Sequence, residues 1–254
     1  MNRSTASPAH DRPSTPDSDR PLVAPSRSDD DRSRLKAGLR AVIRRQRHSL
    51  TVEQRRQLDL QRTEHVRVAL ATLELPPCPT VAIYWSVGTE PGTLDLGRRF
   101  RRVGWRILLP VLSPGEGGTN WNPAWGDWTG PVEPPPPGVV GPSWRGLRQP
   151  ATTKLDAAAL GQADLIIVPG MAATAAGTRL GRGGGWYDRA LLHARPTTPR
   201  WVLLNEAEVL GELPMQAWDQ PVDAIVTPSG LIVCAPRPEA QRPAPPPDDA
   251  DPTL

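Results

Sequence analysis

Cysteine is almost absent: Cys78 and Cys234 are the only two in 254 residues. Two cysteines cannot build a disulfide scaffold. Neither has a second Cys or a His at metal-ligand spacing, which excludes a local zinc motif. Both read as small apolar fillers, and a reducing cytoplasm is the expected compartment. Phe and Tyr are scarce, at one and two residues. No apolar run approaches the ~18 residues that read as a membrane span. The first 21 residues, MNRSTASPAHDRPSTPDSDRP, lack the apolar stretch of a secretory signal. Lysine is rare as well. It occurs only at Lys36 and Lys154, so 28 of the 30 basic residues are arginine. With 32 Pro and 22 Gly alongside, that bias reads as GC-rich coding. The net charge of +3 is too small to argue for nucleic acid, and neither a nucleic-acid nor a membrane partner is expected.

What is present divides the chain into three. Residues 1–33 are Ser, Asp, Pro and Arg with few bulky apolar side chains, and residues 236–254 are similar. Neither stretch can offset its ordering entropy by burial, so both are expected to be disordered tails. The expected folded domain is 34–235, a single unit at this length.

A helix is predicted from about Arg34, with Leu35, Leu39, Val42 and Ile43 on one apolar stripe. Lys36, Arg40 and Arg44 form a basic stripe on the opposite side. That stripe either is solvated or faces an anion. A second helix begins with the capping box Thr51-Val52-Glu53-Gln54, buries Val66, Leu70 and Leu73, and stops at Pro76-Pro77. A third is predicted over 93–103. Six short apolar runs, 80–85, 106–111, 164–168, 201–204, 223–227 and 231–233, do not alternate with polar residues. Such runs suit strands buried on both faces. Strands separated by helices predict an α/β fold with a mostly parallel sheet. Residues 113–153 interrupt the rhythm with Trp121, Trp125, Trp128 and Trp144 among prolines and glycines, and read as a long irregular excursion.

The chemistry concentrates in Arg179-Leu180-Gly181-Arg182-Gly183-Gly184-Gly185-Trp186-Tyr187-Asp188-Arg189. Four glycines in five positions let the backbone approach a ligand and point successive amides into one concavity. A helical run from Ala190 would add the positive end of a helix dipole. Arg179 and Arg182 bracket the loop. In physical terms this is a phosphate cradle, though its spacing is neither that of a P-loop nor that of the dinucleotide fingerprint. Glu90 lies just past the first strand, where ligand sites of α/β sheets gather; taken alone it reads first as an ordinary solvated carboxylate. Tyr84, Trp85 and Trp186 offer flat faces to a ring or are core, with core favoured for Tyr84. Asp188 is a candidate metal ligand or a helix cap, and Asp219, before Pro221, a ligand or a turn residue. No Gly-x-Ser-x-Gly, His cluster or Cys–His pair competes.

Pro169-Gly170-Met171-Ala172-Ala173-Thr174 followed by the Gly177–Arg189 stretch resembles the signature of the 5-formyltetrahydrofolate cyclo-ligase (5,10-methenyltetrahydrofolate synthetase) family. Lys36-x-x-x-Arg40, Tyr84-Trp85-Ser86 with Glu90-x-x-Thr93, and Asp219-x-x-x-Asp223 match further family blocks in order, so the resemblance spans about 34–235. One departure is that Ala173-Thr174 stand where the family commonly has Phe-Asp, a change that bears on the loop above the substrate.

The resemblance implies a single-domain open sandwich related to the sugar-phosphate isomerase and CoA-transferase superfold. It implies ATP-dependent conversion of 5-formyltetrahydrofolate to 5,10-methenyltetrahydrofolate, with ADP and phosphate released. ATP is then held by Lys36, Arg40, Arg179, Leu180, Gly181, Arg182, Gly183, Gly184, Gly185, Trp186 and Tyr187. The folate is held by Glu90, Arg182, Gly183, Gly184, Gly185 and Trp186, and Mg²⁺ by Asp188 and Asp219. Arg182 is the catalytic candidate, near both phosphate and folate. The chain is expected to be a monomer. A folate-binding paralogue without turnover, and an isomerase or transferase on the same superfold, remain as alternatives at this point.

Overall fold

The computed structural model describes residues 27–112, 122–136 and 146–237. Its first helix, α1 (Arg27–Ser49), begins inside the span expected as a tail. Asp29 and Asp30 in its first turn suit the positive helix end, and Asp29 pairs with Arg32. Other than 27–33 and 236–237, the expected tails lie outside the described residues, as do Trp121 and Trp144.

Next come α2 (Val52–Leu70), β1 (Thr80–Ala82), α3 (Leu94–Arg102), β2 (Arg106–Pro110) and β3 (Trp125–Asp127). They are followed by β4 (Val132–Glu133), β5 (Gln149–Pro150), β6 (Leu165–Val168), β7 (Ala172–Ala173) and β8 (Arg179–Leu180). The chain ends with α4 (Trp186–Ala190), β9 (Arg200–Leu203), β10 (Ala224–Thr227) and β11 (Gly230–Val233). The Thr51 capping box forms as predicted: Gln54 N donates to Thr51 Oγ1, and Thr51 N donates to Gln54 Oε1.

The main sheet runs β11-β10-β9-β6-β1-β2-β3. Its five central strands are parallel, and β3 and β11 close the edges antiparallel. All six predicted apolar runs are strands of this sheet. The reason is visible in the burial of alternate residues. Val81, Ile107, Leu109, Leu165, Ile167 and Leu203 face a layer containing Val66, Leu96, Phe100 and Trp128. Ala82, Leu108, Ile166, Val168, Val202 and Ile225 face Leu160, Ala190, Leu191 and Trp125. Both faces are covered, so both registers must be apolar.

Three expectations need correction. The excursion at 113–153 is not wholly irregular: Trp125 is fully buried in edge strand β3, and Val132–Glu133 pairs with Gln149–Pro150. Of the two cysteines only Cys234 is an apolar filler, its thiol pushed up to about 11 by burial and the Asp223 charge, while Cys78 is exposed. The buried face of α1 is only half the expected one: Ile43 and Leu39 do pack against Met171, Ala172 and Leu180. Leu35 and Val42 are exposed at 61% and 41%, whereas Lys36, Ile43 and Arg47 are buried. Residues 36, 40, 43 and 47 form one helical stripe, and three of the four are basic. The helix therefore docks through charge.

Its anchor is Arg47. The guanidinium donates to both carboxylate oxygens of Glu208, at 2.7 and 2.8 Å, and to the Gly170 carbonyl at 2.8 Å. Glu208 in turn accepts from Asn205 N and Nδ2. Burial works against the Arg47 charge, but the Glu208 contacts outweigh it and hold its pKa above the usual range. Both side chains are 2% exposed. Removing one member of such a pair strands the other, so Glu208→Ala is expected to cost about 3–5 kcal/mol by chemical denaturation. A loss below about 1 kcal/mol would show that α1 is held by other contacts.

Candidate active site

The strand order fixes where the site lies. From β1 the chain moves to β2 on one side, then returns to β6 on the other side and continues to β9. The reversal falls between β1 and β6, and ligands of open α/β sheets bind outside the carboxyl ends of such strands. The loop after β1 carries Glu90. The segment after β6 carries Pro169-Gly170, the β7–β8 ribbon and the Gly-rich loop. The two meet directly: Arg182 Nη1 donates to Glu90 Oε1 at 2.9 Å. Glu90 is further fixed by the Val87 amide on its other oxygen.

The Gly-rich loop is braced from below. Arg179 is 4% exposed; its Nη1 donates to Pro169 O at 3.0 Å and its Nη2 to Asp188 Oδ1 at 2.7 Å. Arg179 is thus a strut between strand β8 and helix α4. Met171 N to Leu180 O stitches the ribbon to β6's exit, and Val222 N to Gly177 O stitches it to the C-terminal strands. Ala173 is fully buried in the core beside Val209 and Cys234. The Ala173-Thr174 departure therefore lies in the packed base of the ribbon and is absorbed there as core.

Above this brace the loop is open. Gly183 and Gly185 have φ of +117° and +61°, while Gly184 does not adopt a positive φ. Among the described residues the amides of Gly183, Gly184 and Gly185 donate to no protein acceptor. Helix α4 has only five residues. The loop amides, more than a helix dipole, are what an anion would meet there.

Arg40 reaches this concavity from α1. Its Nε donates to Gly181 O at 2.8 Å, and its guanidinium lies beside Gly183, about 3.5 Å from where a Cβ would stand. Both terminal nitrogens lack a described partner. Burial lowers the Arg40 pKa; Asp219 and Asp188 oppose that shift, so both carboxylates act on this guanidinium. Lys36, one turn earlier, is buried and donates to Asp219 Oδ2 at 2.6 Å and to Gln216 Oε1 at 2.8 Å. Asp219 also accepts from the Gln216 amide, so it closes a turn and carries an ion pair at once. Arg44 is exposed, and its like charge adds to the lowering of the Arg40 pKa.

The aromatic side of the site forms one cluster. Trp186 packs edge-on against Trp125 at 5.2 Å and Tyr187 at 4.8 Å. Trp186 Nε1 and the Tyr187 hydroxyl are buried without a described partner. Burial first, and then the Glu90 charge, push the Tyr187 phenol well above its usual range. Tyr84 is core, as favoured, with its hydroxyl donating to Pro91 O at 2.7 Å. Trp85 packs edge-on against Trp128. Sequence reasoning missed Trp125. Its signal was a short aromatic–Gly segment, Trp125-Gly126-Asp127-Trp128, bracketed by Pro123 and Pro131.

The structure thus brings Lys36, Arg40, Glu90, Arg179, Arg182, Asp188 and Asp219 to one end of the sheet. It does so in pairs, Lys36–Asp219, Arg179–Asp188 and Arg182–Glu90, with Arg40 beside the loop. Asp223, by contrast, is spent on Arg200 N and Arg237. Among the described residues no three His, Cys, Asp or Glu side chains group to hold a metal, and no helix is long and apolar enough to cross a membrane.

The loop geometry orders two substitutions. Gly183→Val is expected to displace Arg40 and strain a positive φ, cutting nucleotide affinity at least tenfold by calorimetry. Gly184→Ala meets open space and is expected to leave melting temperature and affinity nearly unchanged. Equal damage from both would mean that the loop acts only through bulk flexibility.

The comparisons identify the family and the fold. A profile of the 5-formyltetrahydrofolate cyclo-ligase family matches residues 32–228. The Escherichia coli protein named 5-formyltetrahydrofolate cyclo-ligase is 30% identical over 196 residues, covering 74% of this chain and 97% of that protein. The Mycolicibacterium smegmatis protein of the same name is 36% identical over 154 residues, covering 61% of this chain and 76% of that protein. A solved 5,10-methenyltetrahydrofolate synthetase from Aquifex aeolicus shares the fold, with a TM-score of 0.62 at 24% identity over 82% of this chain and 96% of that one. The chain belongs to the 5-formyltetrahydrofolate cyclo-ligase family.

Proposed function

We propose that the family's reaction, ATP-dependent closure of 5-formyltetrahydrofolate to 5,10-methenyltetrahydrofolate, runs in this chain between the Gly-rich loop and Glu90. The observation that supports it most is the Arg182–Glu90 contact. It joins a loop built for phosphate to a buried carboxylate suited to ring N–H donors, so a nucleotide and a pterin at these places would be neighbours.

The chemistry then needs no protein nucleophile. The formyl oxygen attacks the γ-phosphorus and ADP leaves. N10 of the folate closes on the activated formyl carbon and gives up its proton to solvent, and the carbon–oxygen bond breaks as the formyl oxygen departs with the phosphate. The protein contributes positioning and charge. Arg40 offers two open N–H ends beside free loop amides. Lys36 has two of its three donors committed and one left. Arg182 lies between the two reacting partners and is the group placed to follow the charge as it moves from phosphate to folate. Arg179 acts through Asp188 by holding the loop, and Trp186 packs edge-on against Trp125.

Mg²⁺ fits the donor set in one respect and is limited in another. Asp188 and Asp219 each have one carboxylate oxygen without a described hydrogen bond, and hard oxygen donors suit this cation. Both also face a basic side chain, so they can hold the ion only together with the phosphates that accompany it. When bound, the ion would neutralise phosphate charge.

Two outcomes test the proposal. Purified protein with 5-formyltetrahydrofolate and Mg²⁺ is expected to develop the methenyl absorbance only when ATP is added; formation without ATP, or none with it, overturns the reading. Arg40→Ala is expected to raise the apparent ATP KM about tenfold or more, the worth of a charge-assisted contact, with folate affinity retained. Glu90→Gln is expected to do the reverse. If either variant weakens both ligands equally, the residues serve the fold and the division of roles is wrong.

A further inference from the structure

Arg62 is a charged residue on the buried side of α2. It shares a helical stripe with Val66 and Ala69 and is 3% exposed, although its two neighbours pack on an apolar layer. A buried guanidinium needs partners, and Arg62 finds them near the carboxyl ends of the strands. Its Nη2 donates to Asp59 Oδ1 at 2.6 Å. Its Nη1 donates to Asn205 Oδ1 at 2.8 Å and to the Leu204 carbonyl at 3.3 Å, just past β9.

Each partner is itself committed. Asp59 Oδ1 also accepts from the Gly92 amide at 2.7 Å. A Cβ at residue 92 would stand 2.5 Å from Asp59 Oδ2, so the carboxylate lies directly against the loop backbone two residues after Glu90. Among the described residues this is the one hydrogen bond that the backbone of 87–92 makes outside 84–93. On the other side Asn205 donates to Glu208, the partner of Arg47. An unbroken run of hydrogen bonds therefore joins the loop of Glu90 to the residue that anchors α1. Its members lie around one buried point. Burial pushes the Tyr84 phenol well above its usual range, and Glu90, Arg47, Arg62 and Asp59 all act on it as charges.

We propose that Asp59 and Arg62 are positioning residues for Glu90. The inference rests on the reading that Glu90 holds the pterin. Asp59 ties the loop to α2, and Arg62 ties Asp59 to the frame that also carries α1. The separation between Glu90 and the Gly-rich loop is then set from the core side. The direct contact of Arg182 cannot set it alone, because a pterin that takes Glu90 must share or displace the Arg182 bond on Oε1. The Asp59 clamp grips backbone and leaves both Glu90 oxygens where they are, so it persists when the ligand arrives.

The test is a double-mutant cycle with Glu90, read as KM for 5-formyltetrahydrofolate and for ATP. Asp59→Ala is expected to raise the folate KM about tenfold, the worth of a hydrogen bond to a charged group, and to leave the ATP KM unchanged. Asp59→Asn keeps an acceptor for the Gly92 amide and is expected to recover most of that loss. Arg62→Met keeps an apolar stem and is expected to reproduce the Asp59→Ala effect from the other end of the pair. In a Glu90→Gln background each substitution is expected to add almost nothing, because a residue that acts through Glu90 has no separate effect once that carboxylate is gone. Melting temperatures are taken alongside. Should Asp59→Ala or Arg62→Met melt below the assay temperature, Asp59→Asn carries the cycle, and its smaller effect must vanish in the same background. The positioning role is overturned if the losses add to that of Glu90→Gln, if the folate and ATP KM rise together, or if Asp59→Asn is as damaging as Asp59→Ala. An unchanged folate KM in Glu90→Gln removes the pterin reading and this role with it. A weakened folate in Glu90→Gln beside a neutral Asp59→Ala removes the positioning role alone.

Discussion

The site depends on the parallel pairing of β1 with β6. Val81 lies opposite Leu165 and Ala82 opposite Ile166, in the middle of a sheet covered on both faces. Because the chain reverses its direction of travel across the sheet there, the segments leaving the two strands diverge and open a crevice. Everything that carries chemistry is attached to that crevice: Glu90 after β1, the Gly-rich loop after β6, and α1 laid over the top by Arg47. The core makes this arrangement rigid and the loops make it reactive, as expected when ligand-contacting residues sit on connections held by a fixed scaffold.

Charge organises the second layer. Lys36–Asp219, Arg179–Asp188 and Arg182–Glu90 neutralise one another at 2.6, 2.7 and 2.9 Å. Isolated charges at such depth would be costly, and pairing lets these groups be placed before any ligand arrives. A triphosphate with its cation brings both signs at once. The same logic separates struts from ligands. Arg179 is buried with both terminal nitrogens engaged, so it shapes the loop. Arg40 is half-buried, anchored only through Nε, and keeps its two terminal nitrogens without a described partner.

The parallel strands of the sheet were legible because double burial leaves a local mark, a short apolar run at each of them. The Gly-rich loop was legible because four glycines in five positions have few other uses. The packing face of α1 was not, and the reason is physical. Pattern reading assumes that the buried face of a helix is its apolar one. Here the partners of α1 are Glu208, Asp219 and the Gly181 carbonyl, so the buried stripe is Lys36, Arg40, Ile43 and Arg47 while Leu35 and Val42 face water. No local pattern announces partners more than 140 residues away. Which glycine of the loop carries the strained backbone was likewise hidden, since Gly183, Gly184 and Gly185 are identical in sequence and differ only in φ. Trp125 was hidden by prolines that suggested irregular chain, although an edge strand of three residues is enough to bury it.

The scarcity of lysine gives position 36 its meaning. In a chain that uses arginine for 28 of 30 basic residues, a buried ammonium under α1 has a geometric rationale. Lys36 must satisfy Gln216 and Asp219 within one small space, at 2.8 and 2.6 Å. An ammonium does this with three donors around one atom. A guanidinium spreads five donors over a rigid plane, and its bulk would push α1 away from the turn that Asp219 closes. Arg40, one turn on, faces the opposite requirement. It spans from the Gly181 carbonyl to the open loop, and there a wide planar fork can anchor through Nε and still present two nitrogens to an anion. The two basic residues of one helical stripe are therefore not interchangeable: the compact one sets the floor of the site, and the forked one reaches across it.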